Sequence, residues 1–150
     1  MVVFEQQPFV YGVLEGTAAG GLESLAAFVI TKAIENPRSV SRICFHESPE
    51  SAVQIMLIGL APNSSFPIHR HEFKEETLVF VGGSGFLIFH WKDGAFISSE
   101  RTDFQKSSVN VVRRGRWHSL ESRGDGLAFL EVAQGPFRQT DTIYSPGELE

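Results

Sequence analysis

Apolar positions change their spacing about a third of the way along the chain. After the Gly20-Gly21 break, LESLAAFVITKAIENP repeats apolar residues at three- and four-residue intervals, with Leu22, Leu25, Val29 and Ala33 in one row and Ile30 and Ile34 beside it. Residues three and four apart share one face of an α-helix, so this stretch predicts a helix. Pro37 ends it, because the residue before a proline is pushed out of the α region. The helix is expected to pack on the outside of a sheet, and nothing in it points to a chemical role.

From Val53 onward the apolar runs shorten. VQIMLIGLA, ETLVFV, GFLIFHW, AFISSE, VNVVRR, WHSLES and LAFLEVA are each of strand length and rich in β-branched and aromatic residues. Pro-Asn-Ser, Gly-Gly-Ser-Gly, Lys-Asp-Gly and Arg-Gly-Asp-Gly clusters separate them, and Asp93-Gly94 is a hairpin signal because that turn needs positive φ. Many short strands with regular turn signals predict an antiparallel sandwich or barrel. GFLIFHW is apolar on both faces, which suits a strand with the core on one side and the helix or a partner subunit on the other. The expected division is an N-terminal segment and helix over 1–40, packed on a β domain over 41–150, with SPGELE as a loose tail.

Composition narrows the class. The chain has 150 residues, enough to bury a core without covalent staples, and a net charge of −5 that gives no pull toward nucleic acid or anionic membrane. Cys44 is the single cysteine, which rules out an internal disulfide and suits a reducing compartment. The N-terminus has no basic region followed by an apolar core, and the longest charge-free stretch, Ser51 to Ile68, is broken by Pro62, Asn63 and Pro67. A cytoplasmic protein with no membrane contact is expected. Thirteen phenylalanines against two tyrosines read as filling for the interior.

Candidate chemistry lies in PIHRHEFKEETLVFVGGSG. His69 and His71 are two apart on a predicted strand, so they point the same way with Cα atoms roughly 6.6 Å apart. Two imidazoles so placed can converge on one metal ion. Glu76 opens the next strand and is expected to supply an oxygen across the hairpin, while glycines 82, 83 and 85 turn the chain again. In VNVVRRGRWHSLES, His118 starts another strand after a glycine turn and offers a third imidazole. Three nitrogens and one carboxylate suit a divalent transition metal, with zinc, iron, manganese and nickel all admissible, and the loaded site would favour an anionic ligand.

These positions resemble the two motifs of the cupin superfamily: His69, His71, Glu76 and Gly83, then Gly115 and His118. The resemblance implies a mainly β fold, a cupin-type antiparallel β-barrel (jelly roll) with an N-terminal helix, and a metal inside the barrel. Arg113 stands where cupins usually carry proline, and Ser122 where many carry asparagine; both departures concern turns and supporting contacts, not ligands. A narrower likeness runs through AIENPRSVSRICFHESPE, VQIML, PIHRHEFKEETLVFVGGSG, RWHSL and FLEVAQGPF, which is similar to WbuC-type cupin metalloproteins. It implies pocket roles for His46, Lys74 and the arginine-rich segment that holds Arg42, and a link to polysaccharide biosynthesis.

Other residues keep open readings. Lys74 is either a solvated loop charge or a group that fixes an anionic substrate. Glu131 lies inside an apolar strand and either orients a ligand histidine or faces water. His90 is more often a core or interface histidine than a ligand, and Cys44 packs. Arg38, Arg42, Arg113, Arg114 and Arg116 are surface charges by default, although an arginine fork reaching a phosphate or carboxylate would change that reading. Two functions follow. One is a metal-dependent isomerase, epimerase or dioxygenase acting on a small anionic or sugar-derived substrate, in which Glu76 is a ligand or the catalytic base. The other is a non-catalytic, metal-dependent small-ligand or regulatory module. Apolar strand faces beyond the needs of one barrel predict a homodimer.

Overall fold

In the computed structural model, which describes residues 3–16, 19–93, 96–105 and 108–146, the helical period becomes helix α1 (Leu22–Glu35). Gly21 caps its start without a side-chain bond, and Asn36 ends it directly before Pro37. The buried face is Leu25, Ala26, Val29 and Ala33, whereas Leu22 and Ile34 are 54% and 60% exposed, so the stripe is narrower than its sequence period suggests. Small residues on that face let the helix press close to the sheet. A Cβ on Gly59 would stand 2.5 Å from the Val29 backbone, and Ser41 Oγ donates to the Val29 carbonyl at 2.6 Å.

Ten strands follow the chain: β1 (Val3–Gln7), β2 (Val10–Val13), β3 (Val40–Cys44), β4 (Val53–Leu60), β5 (Ser65–His71), β6 (Glu76–Asp93), β7 (Phe96–Asp103), β8 (Val109–Val112), β9 (His118–Gln134) and β10 (Thr142–Tyr144). Two pairs of expected strands are fused. ETLVFV and GFLIFHW form the single strand β6, and WHSLES and LAFLEVA the single strand β9. Glycines 82, 83 and 85 therefore do not reverse the chain; they sit where the β6–β9 register shifts, with Gly83 at φ 75°. A glycine bulge bends a strand without ending it. Gly94 of the expected Asp93-Gly94 turn and the last four residues of SPGELE lie outside the described residues.

The expected antiparallel β-barrel, or jelly roll, is not what forms. The sheet runs β1-β2-β3-β4-β9-β5-β10, with β6 joining β9 to β7 and β8, and among the described residues its two ends do not pair. Bent at their bulges, β6 and β9 each exchange one partner for another along their length, so the sheet branches instead of closing. Nor is it wholly antiparallel, since β2 runs parallel to β3. Two cores result. One, on the helix side, gathers Leu25, Val29, Ile43 and Leu57; the other, on the opposite face, gathers Met56, Ile58, Leu78, Phe80, Phe104 and Phe129. The second face also carries the polar cluster described next.

Candidate metal centre

Strand β5 ends in the alternation Ile68, His69, Arg70, His71, and its two histidines turn inward, each no more than 5% exposed. His118 opens β9 directly opposite His69, with ring centroids 4.2 Å apart. Glu76 opens β6 opposite Ala133 of β9. The expected hairpin between His71 and Glu76 is absent: β5 pairs with β9 and β10, and β9 brings the carboxylate in. One donor atom from each of His69, His71, Glu76 and His118 lies within 4.8 Å of all the others, and all four residues are buried.

Hydrogen bonding decides which atoms face the centre. His69 Nδ1 lies 2.7 Å from the Pro67 carbonyl, His118 Nδ1 2.9 Å from that of Arg116, and His71 Nδ1 3.3 Å from that of Asp141. A carbonyl only accepts, so each Nδ1 carries a proton and each ring turns its Nε2 inward. His71 Nε2 is 2.8 Å from Glu76 Oε1, and His118 Nε2 is 3.1 Å from Glu76 Oε2. The first contact is off hydrogen-bonding geometry, which leaves the buried His71 Nε2 without a partner among the described residues. Three imidazole nitrogens and a carboxylate converging in a buried space form a compact nitrogen and oxygen donor set. A divalent cation with nitrogen and oxygen preferences fits that donor set.

Electrostatics points the same way. Burial, followed by the neighbouring His118, pulls the His69 pKa down to about 3, so its Nε2 stays available as a lone-pair donor. Burial pushes Glu76 up, but the adjoining His118 and His71 outweigh it and hold the carboxyl well below its ordinary range. Glu131, two residues along β9 from Ala133, the partner of Glu76, is driven up to about 7 by burial and then by the charge of Glu76; Lys74, Arg42 and His118 oppose the rise.

The remaining expected residues are distributed around this centre. Lys74 Nζ stands 3.4 Å from Glu76 Oε1 with its side chain 15% exposed. Glu131 is buried on the Phe129 face of β9, and the Nδ1 atoms of the three histidines are matched to backbone carbonyls. Arg42 reaches Glu131 through its charge and lines a separate cleft with Arg38 and Asn36. His46, just past β3, accepts the Ile55 N–H at 3.1 Å and does not join the four-residue cluster. Gly115 donates its N–H to the His71 carbonyl at 2.7 Å, and Ser122 accepts the Ser64 N–H at 2.9 Å, tying the β4–β5 turn to β9. Sequence reading missed Arg138 and Asp141, which line a cleft with Lys74, and β10, which pairs Thr142 with His71 and Tyr144 with His69. A three-residue strand is too short to show a period, so it left no usable signal.

Comparison with known structures adds the fold relationship. The capsular polysaccharide assembling protein CapF from Staphylococcus aureus is 23% identical, with a TM-score of 0.59 over 73% of this chain and 32% of its own. Oxalate decarboxylase from Bacillus subtilis is 20% identical, with a TM-score of 0.59 over 73% of this chain and 28% of its own. A cupin 2 conserved barrel domain protein from Rhodopseudomonas palustris is 20% identical, with a TM-score of 0.55 over 73% of this chain and 68% of its own. The chain thus spans about a third or less of the first two, and the likeness to all three is one of fold. No curated protein matches it. The narrower WbuC-type resemblance is not upheld, since no WbuC-specific match is found. No helix among the described residues is long and apolar enough to cross a membrane. With all of α1 but its first residue, β3 to β6 and three of the four converging residues inside residues 23–102, the stretch that matches, this chain belongs to the family described as Domain of unknown function (DUF6016).

Proposed function

We propose that His69, His71, Glu76 and His118 hold a divalent transition metal and that the protein acts on a small anionic or sugar-derived substrate by isomerase- or epimerase-like chemistry. The observation that carries this reading is the inward convergence of three imidazole Nε2 atoms, each fixed by its own Nδ1–carbonyl bond, on one buried carboxylate. When bound, such an ion supplies Lewis-acid polarisation of a carbonyl or hydroxyl oxygen. The substrate's route is the cleft of about 330 Å³ lined by Lys74, Arg138 and Asp141, with a narrow continuation past Met56 and Gln54. Two cations at its mouth favour an anion, and Lys74 joins the cleft to the cluster through Glu76.

Glu131 is the group suited to taking up and returning a proton. It is buried on the same side of β9 as Ala133, the residue opposite Glu76, and its carboxyl changes charge near pH 7. The fold likeness to a capsular polysaccharide assembling protein and to oxalate decarboxylase supports trying sugar derivatives and small carboxylates first. Self-association belongs to the same proposal, supported by the exposed Val109 and Val111 on β8, and light scattering that gives a monomer mass would remove it. The functional test is turnover by metal-loaded protein across sugar phosphates, nucleotide sugars and small carboxylic acids. Lys74→Ala should raise KM about tenfold or more with kcat changed less than about threefold, as expected for loss of substrate binding. Metal-dependent binding with no turnover across the panel would overturn the catalytic reading in favour of a ligand-binding module.

A further inference from the structure

Both tryptophans of the chain line one cleft outside the metal centre. Trp91, near the end of β6, and Trp117, just before β9, border a depression of about 400 Å³ together with His90, Arg113, Arg114 and Arg116. The three arginines come from the short connection between β8 and β9, where Gly115 at φ 72° lets the chain reverse. They are placed differently. Arg113 pairs with Glu75 at 3.0 Å, and the Arg116 guanidinium lies 4.5 Å over the Trp91 ring and 5.5 Å over that of Phe89. Arg114 is exposed and makes no ion pair among the described residues.

We propose that this cleft binds a nucleoside phosphate. Guanidinium groups offer paired N–H donors that match phosphate oxygens, and Arg114 is uncommitted. One face of each indole is covered by a guanidinium, Arg116 over Trp91 and Arg70 over Trp117, and the remaining flat faces of these pairs give a planar base a surface to stack on. A cleft of about 400 Å³ is of single-ligand size, and a chain carrying −5 opposes a long polyanion, which together favour a small nucleotide over a nucleic-acid strand. The inference does not depend on the metal centre, although the same connection holds it: Gly115 N–H bonds the His71 carbonyl and the Arg116 carbonyl accepts from His118.

Intrinsic fluorescence tests it directly, because no tryptophan lies elsewhere to confuse the signal. The full chain, in chelator so that the metal plays no part, is titrated with adenosine diphosphate, pyrophosphate, adenosine and a single-stranded oligonucleotide. The expected result is saturable quenching by adenosine diphosphate that weakens about tenfold or more in Arg114→Ala, an exposed change that leaves the fold intact by circular dichroism. Trp91→Leu should weaken binding similarly, read by calorimetry. Absence of saturable quenching, or equal affinity in Arg114→Ala, overturns the proposal. Equal binding of pyrophosphate removes the role of the base, and tighter binding of the oligonucleotide overturns the small-ligand assignment.

Discussion

Glu131 shows how much one buried carboxyl can dictate. Its ordinary value is 4.5 and its folded value about 7, raised by burial and then by Glu76. Between those limits the folded chain keeps a proton that the unfolded chain has released, so this group's contribution to stability falls as pH rises through that window. In metal-free protein, Glu131→Gln should therefore raise stability more at about pH 8 than at about pH 5, by on the order of 3 kcal/mol, read as the change in Tm between variant and wild type. Equal shifts at both pH values would mean that the carboxyl is not buried as described. His69 acts in the opposite sense. Its folded pKa of about 3 lies below the ordinary 6.5, so the unfolded chain binds the extra proton, and stability is lost as pH falls from about 6.5 toward 3.

At the scale of elements, glycines do the shaping. Gly83 combines φ 75° with a site where an added Cβ would stand 2.1 Å from the Gly126 carbonyl oxygen, whereas Gly16 has φ 71° and open space around it. Gly83→Ala should cost about 2–4 kcal/mol in urea unfolding, and Gly16→Ala about 1–2, because only the first adds a backbone collision to the conformational strain. Similar costs would place the bulge elsewhere. The same glycines explain what the sequence hid. A Gly-Gly-Ser-Gly cluster looks the same whether it reverses the chain or kinks a continuous strand, and only pairing with β9, some forty residues distant, decides between them. Helix α1 was legible because its period is local; Leu22 and Ile34 were misplaced because which edge of the stripe is buried depends on the sheet beneath.

For the whole molecule, the converging set was readable because His69 and His71 are two apart and Glu76 and His118 each open a strand, His118 just after the Gly115 turn. Closure into a barrel was not readable, since it depends on edge strands meeting, and among the described residues β1 and β10 remain edges. Arg138 and Asp141 were invisible for a related reason: the closing segment returns to the centre only through the three-residue pairing of β10 with β5. An open sheet can still present a closed donor set because β9 runs beside both β5 and β6. The central claim is that this donor set takes up a metal, and equilibrium dialysis of the untagged chain against zinc, iron, manganese and nickel, followed by elemental analysis, tests it most directly. The account predicts about one divalent ion per wild-type chain, and less than about a tenth of that in His71→Ala and His118→Ala variants that keep their circular dichroism. A wild-type chain that retains no ion, or a folded His118→Ala variant that retains a full one, would contradict it.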